Sequence, residues 1–294
     1  MSLHILINIS SDTENLYGVR FFTSFCKSSD QCSVTLFHIC RLDSRDSSAS
    51  LMEIWKKPDA SEEGMLAEGA QRALDRARRN LEDASVVIRE MKTKTVQERY
   101  GKVRDILSEG SAGLYDAMIL GRRATYALQW MFDRPGDEIP QALIQQTTFS
   151  CPLWICCDPE EGRKNVLLCV DGSASSMRAA DHVGFIVSHT PHHSITVFHV
   201  SNSSKDNTSK IFNAATAILD SNNLERSRIH HKTAWGLSVS GAILSEENRG
   251  RYAAVAIGVA GEPGNGLLHS LSGKGETAAA LINKISRAAL WICP

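Results

Sequence analysis

The sequence contains no apolar run near the roughly 20 residues that a membrane-spanning helix needs, and no signal-peptide pattern. His4–Ile9 is too short and begins too early for such an h-region. A membrane is therefore not expected as a partner, and the cytoplasm is the expected location. A surplus of one charge sign is also missing: 32 Lys+Arg stand against 33 Asp+Glu. That balance argues against nucleic acid as a main partner. The eight cysteines form no CxxC pair and mostly lie in apolar strand-like runs. They read as buried, reduced thiols rather than a disulfide set.

Several chemical signatures are lacking too. Gly273-Lys274 suggests a P-loop, but GxxxxGK[ST] fails at Leu268 and again at Gly275. A dinucleotide fingerprint needs GxGxxG after the first strand of its unit, where this chain reads DGSASS. No GxSxG nucleophile elbow appears. The pairs His192-His193 and His230-His231 have no partners at metal-ligand spacing and read as surface histidines. No catalytic residue and no metal ligand is assigned, and any ATP hydrolysis is expected to be weak.

What is present is a duplication. With 294 residues, 43% hydrophobic and 22% charged, the chain has the length of about two domains and the composition to build a core in each. HILINIS (4–10) matches NVLLCVD (165–171), and SVTLFHI (33–39) matches SITVFHV (194–200), both at an offset of 161. YDAMILG (115–121) matches YAAVAIG (252–258), and PLWIC (152–156) matches ALWIC (289–293), both at an offset of 137. The offset changes once, so the first half carries one extra segment, Asp43–Ser61. This polar, Ser-rich stretch with Leu51, Met52, Ile54 and Trp55 reads as a longer surface loop, or else as a lid or docking element for a protein partner.

Each half, 1–157 and 165–294, reads as alternating strands and helices. The predicted strands are 4–9, 33–40, 86–91, 116–120 and 152–156, then 165–170, 194–200, 228–234, 253–257 and 289–293. The predicted helices are 14–26, 61–84, 102–111 and 138–147, then 175–189, 209–222, 239–248 and 276–287. In 61–84 the apolar residues at 66, 70, 73, 74, 77 and 81 make one helical stripe. Strands alternating with helices imply βαβ units and a parallel sheet. A short polar linker, DPEEGRK (158–164), joins the halves.

VLLCVDGSASS, TLFHI and TVFHV, YDAMILGRR and AIGVAG, and the closing LWIC runs together carry a resemblance. Each half resembles a universal stress protein domain, and the whole resembles the tandem two-domain form. The resemblance implies an α/β fold of two repeated domains, each a five-stranded parallel sheet flanked by helices (Rossmann-like, of the adenine-nucleotide alpha-hydrolase kind). It also implies a regulatory role in stress response, with ATP or a related adenine nucleotide, and Mg, as cofactors. The family's pattern places an Asp after strand 1, Gly-x-x-Gly after strand 4, nine residues, then Gly-Ser/Thr leading into helix 4. Glycines let backbone approach phosphate, and helix N-termini favour anions.

In the second half the pattern is partly kept. Asp171, Gly258 and Gly261 stand in place, while the closing Gly-Ser/Thr falls either on Leu271-Ser272 or on Glu276-Thr277. The candidate nucleotide site is therefore Asp171, Gly172, Val200, Gly258, Gly261, Ser272, Gly273, Gly275 and Thr277, with ligand occupancy acting through the Gly-rich loop 259–277. The alternative is that Asp171 only closes an Asp-Gly-Ser turn. In the first half Ser10 replaces the Asp, Ala124 replaces the second Gly, and Tyr126, Trp130, Met131 and Phe132 fill the loop. That half is not expected to bind nucleotide in the family's manner, and Arg122, Arg123 and Arg134 read as solvated or acid-paired.

Trp154 and Trp291 lie on the closing strands. The resemblance implies that these strands pair between the domains as a pseudo-dimer inside one chain; packing of each Trp under its own helices is the alternative. A further homodimer is left open. Two rival functions stay open as well: an interaction or scaffold protein without nucleotide, and a weak ATPase.

Overall fold

A computed structural model describes residues 2–10, 16–27, 32–40, 60–84, 86–122, 150–201, 207–236, 238–259 and 276–294. Most of the 43–61 segment, the predicted helix 138–147, Arg123, Arg134, Gly261, Ser272, Gly273 and Gly275 lie outside the described residues.

The apolar runs form strands because they are buried on both faces, as parallel sheets covered by helices require. In chain order these are β1 (Leu3–Asn8), β2 (Cys32–Cys40), β3 (Ile88–Gln97), β4 (Ala117–Gly121) and β5 (Leu153–Cys156). The second half follows with β6 (Lys164–Cys169), β7 (Ile195–Ser201), β8 (Ile229–Trp235), β9 (Tyr252–Gly258) and β10 (Ala289–Cys293). The described helices are α1 (Tyr17–Phe25), α2 (Ala60–Glu82), α3 (Lys102–Ala112), α4 (Ala174–Ser188), α5 (Thr208–Ser221), α6 (Val239–Gly250) and α7 (Glu276–Lys284). The third strand of the first half runs to Gln97, past the predicted end at 91.

All ten strands join one sheet in the order β3-β2-β1-β4-β5-β10-β9-β6-β7-β8. One core layer lies under α1, α2, α4 and α5, and the other under α3, α6 and α7. Alternation along β1 divides the two: Leu3, Ile5 and Ile7 face the first layer and Leu6 the second. The chain is an α/β protein with a large, mostly parallel sheet between helices.

Among the described residues the pairing of β5 with β10 is the antiparallel one, with Trp291 opposite Trp154, Leu290 opposite Ile155 and Ile292 opposite Leu153. The two indoles stack at 4.1 Å with an interplanar angle of 6°. The closing strands thus pair across the halves. Trp154 Nε1 donates to His182 Nε2 of α4 at 3.0 Å, and Phe25 of α1 meets Trp291 edge-on.

A second part of this seam was not legible. His193 is buried rather than a surface histidine. Its ring stacks on Phe25 at 4.1 Å. Nε2 donates to the Phe25 carbonyl at 2.9 Å, and Nδ1 accepts from Asn165 N–H at 3.1 Å. His192 donates to the Lys27 carbonyl. The second half therefore caps the C-terminal carbonyls of α1 in the first. Arg122 also reaches across: Nη1 donates to the Ile285 carbonyl just beyond α7 at 2.6 Å.

Some contacts recur in both halves. His38 Nδ1 donates to the Ile9 carbonyl at 2.7 Å, and His199 Nδ1 to the Val170 carbonyl at 2.8 Å, locking the paired strand ends. Tyr115 and Tyr252 each donate to a helix glutamate, Glu109 and Glu246, at 3.0 Å. Those glutamates also pair with Lys94 and Lys232 at 2.7 Å. Burial, then the neighbouring Glu109, pushes the Tyr115 hydroxyl up to about 12. Gly113 and Gly250 lie against these rings, where a Cβ would approach Tyr115 at 2.0 Å and Tyr252 at 2.1 Å.

Other contacts occur once. Arg163, at the end of the linker, pairs with Glu247 of α6 at 2.6 Å, both side chains being 3% exposed. It also donates to the Tyr252 carbonyl at 3.1 Å. None of the eight cysteines is in a disulfide, and six of them are buried.

Two outcomes are expected. Arg163→Ala leaves Glu247 as an unpaired buried carboxylate, so chemical denaturation should show a loss of about 3–5 kcal/mol. An Arg163→Ala, Glu247→Leu double variant should recover much of it, and no recovery would overturn this account of the pair. His193 is the second case. Burial, with His192, Arg228 and Lys164 nearby, lowers its value from 6.5 to about 4. The unfolded chain takes up that proton first, so the contribution is intact above pH 6.5 and is lost as pH falls towards about 4. The loss should be on the order of 3 kcal/mol. Denaturant midpoints between pH 7 and pH 4.5 should fall less steeply in His193→Gln than in the parent, and equal slopes would remove His193 as the cause.

Candidate functional site

The site lies at the carboxyl ends of β6, β7 and β9, where open α/β sheets bind ligands. After Cys169 the chain leaves β6 through Val170-Asp171-Gly172 and enters α4 at Ser173. Gly172 has φ +85, and a Cβ there would meet Ile211 Cγ1 at 3.1 Å, so the turn is suited to glycine.

Asp171 Oδ1 accepts from Ser173 N–H at 2.9 Å and from the Ser173 hydroxyl at 2.6 Å. Ser173 is the N-cap of α4, its Oγ accepting from Ser176 N–H at 3.2 Å. Burial opposes charge on Asp171, but the hydrogen bonds from Ser173 outweigh it and hold the carboxyl below the usual aspartate value. The group is ionised at neutral pH. Turn closure is thus one role of Asp171.

The same residue also borders a cavity of about 370 Å³. Cys169, Asp171, Ser173 and Ser175 line it from the end of β6 and the turn into α4, Phe198 and Val200 from β7, and Gly258 and Val259 from the end of β9. Thr277 and Ala278 enter from the start of α7, and Val239 and Ile243 from α6. Burial raises the Cys169 thiol far above its ordinary value, so it stands in the wall as a neutral group.

Four of the candidate residues, Asp171, Val200, Gly258 and Thr277, are brought together around this space. Gly172 sits in the adjoining turn and not in the lining. The α6 residues Val239 and Ile243 were not anticipated. They are four apart on one helical face, but nothing in their own sequence signals that α6 crosses this strand end.

Gly258 is used for packing. A Cβ there would lie 2.2 Å from the Ser175 carbonyl oxygen and 2.6 Å from Ser176 N, so β9 closes directly on the first turn of α4. At Gly121, its counterpart, a Cβ would meet Gly18 N at 3.7 Å, an ordinary contact.

A magnesium ion takes oxygen ligands and usually one or two carboxylates. Asp171 is the carboxylate lining the cavity among the described residues, and one of its oxygens already serves the turn. The described residues do not fit a magnesium cage. Among them, no group of three or more His, Cys, Asp or Glu is placed to hold a metal ion. No helix among them is long and apolar enough to cross a membrane.

An α/β chain built of two half-sheets with a cleft at the strand ends is the class that this geometry defines. Solved structures agree over the full length. A universal stress protein from Archaeoglobus fulgidus DSM 4304 is 16% identical, with 98% of this chain and 95% of that one covered at a TM-score of 0.62. A functionally unknown protein from Pseudomonas aeruginosa PAO1 is 14% identical, covering 99% and 92% at 0.51. No family model and no curated protein matches the chain. The chain has the universal stress protein fold.

The glycines give a direct check on this geometry. Gly258→Ala should lower stability by about 2–3 kcal/mol because the Ser175 carbonyl must move, whereas Gly121→Ala should cost less than about 1 kcal/mol. Equal losses in thermal or urea unfolding would show that the close approach at Gly258 is not what fixes this end of the sheet.

Proposed function

We propose that the chain is a stress-response regulatory protein that binds an adenine nucleoside or nucleotide in the second-half cavity. The observation that carries the reading is the placement of ionised Asp171 at the rim of a largely apolar pocket formed by the ends of β6, β7 and β9. Phe198, Val200, Ile243 and Val259 give a flat heterocycle apolar contact. A carboxylate only accepts hydrogen bonds, so Asp171 suits ligand groups that donate, such as an exocyclic amine or ribose hydroxyls. The fold and the resemblance of VLLCVDGSASS to the family's first strand and turn support the same ligand class. The role is binding, with no covalent step assigned to the chain.

Calorimetric titration of the full chain with ATP and magnesium, alongside Asp171→Ala, tests this. Saturable binding is expected, weakened roughly tenfold or more in the variant, as loss of a hydrogen bond to a charged group implies. No heat and no thermal shift at millimolar ligand, with adenosine as well as with ATP, would end the binding reading and leave an interaction protein without nucleotide. Release of inorganic phosphate in the same samples would instead favour the weak ATPase.

A further inference from the structure

Helix α7 meets the candidate cavity at one end and the first half of the chain at the other. Thr277 and Ala278 in its first turn line the cavity. Ala278, Leu281 and Ile285 follow one another at helical spacing, and all three are buried in the same core layer. They make one stripe that runs from the cavity wall to the seam, about 10 Å along the helix axis.

At the seam end the first half holds the turn from α7 into β10. Arg122 Nη1 donates to the Ile285 carbonyl at 2.6 Å, and Cys157 Sγ to the Ala288 carbonyl at 3.4 Å. Carbonyls at a helix C-terminus have no partner inside the helix and carry the negative end of its dipole, so a guanidinium caps them well. Around this contact Arg122, Ile155 and Cys157 share one small void with Leu281, Ile282 and Ile285. The last turn of α7 is therefore both bonded to the first half and packed on it.

Arg122 directly follows Gly121, as Val259 follows Gly258 in the matching run of the second half. Val259 lines the cavity. The same position is thus an apolar wall of the cavity in one half. In the other it is a cation on the helix that borders that cavity.

Resting on the binding reading above, we infer that Arg122 is a positioning residue for the second-half site. Its guanidinium fixes the C-terminal end of α7 and, through that short rigid helix, the placement of Thr277 and Ala278. The first half thereby sets the affinity of the second for its ligand. Such coupling is reciprocal, so an occupied cavity tightens the hold of the first half on α7.

The test is a calorimetric titration of the full-length protein with adenosine, and with ATP and magnesium, in the parent and three variants. The folded fraction of each is measured by urea unfolding in the same buffer. Arg122→Ala and Arg122→Met should each weaken binding about three- to tenfold. Met fills the space of the arginine stem without its charge, whereas Arg122→Lys keeps a cation at the helix end and should recover most of the loss. Amide hydrogen exchange adds a readout that needs no variant. Saturating ligand should slow exchange of the parent at Leu281–Ile285, the end of α7 remote from the cavity, and that slowing should be lost in Arg122→Met.

Parent-like affinity in Arg122→Met, or no recovery in Arg122→Lys, would overturn this inference and leave the binding reading standing. Unchanged exchange at the end of α7 in the ligand-bound parent would do the same. Failure of the parent to bind either ligand would remove the binding reading itself, and this inference with it.

Discussion

The antiparallel pairing of β5 with β10 is the contact on which the rest of the molecule depends. Each strand is a run of wholly buried residues at what would be the edge of a five-stranded half-sheet. An apolar edge with unpaired N–H and C=O groups must be covered or paired. Here each half supplies the other's missing neighbour, and the stacked Trp154 and Trp291 fill the space between the helices. The symmetry is incomplete in an instructive way. His182 accepts from Trp154, but Phe21 holds the corresponding position on α1, and Trp291 Nε1 is buried without a hydrogen-bond partner. Leaving such a donor unpaired costs about 1–3 kcal/mol, which the packing of the seam offsets.

Because the chain contains the fold twice, it acts as its own control. What recurs belongs to the fold: the histidines that lock β1 to β2 and β6 to β7, the Tyr–Glu–Lys networks, and the glycines under the tyrosine rings. What occurs once among the described residues belongs to the half that carries it: the close approach at Gly258, and the Arg163–Glu247 pair that ties the linker to α6. Ser10 stands where Asp171 would be in the first half, and β1 still pairs with β2 and β4. The fold therefore has no need of an acid at that position.

Much of this was legible because both faces of the inner strands are buried, which leaves near-continuous apolar runs in the sequence. The strand boundaries there fall within a residue or two of those read from the sequence. At the sheet edge the signal faded. β3 continues through Lys92, Thr93, Lys94 and Thr95 to Gln97 because those side chains face solvent while the backbone still pairs with β2. His193 looked like a surface residue beside His192, since nothing local reveals that this loop meets the end of α1. The histidines of the His38 and His199 lock stand at matching places in the repeated TLFHI and TVFHV runs. The Tyr–Glu–Lys networks were not, because three elements contribute to each.

The candidate site divides along the same line. Residues delivered by strand ends and by the turn, such as Asp171, Val200 and Gly258, carry a local signature, while those delivered by a crossing helix, such as Val239 and Ile243, do not. One element links the site to the seam. Helix α4 begins at the cavity with Ser175 and reaches the paired tryptophans at His182, seven residues or about 10 Å later. It also holds the chain end, Arg178 Nε donating to the Pro294 carbonyl at 2.7 Å. The first half, with serine in place of the aspartate, supplies β5 to pair with β10 and Trp154 to bond His182, and so holds the helix that borders the cavity.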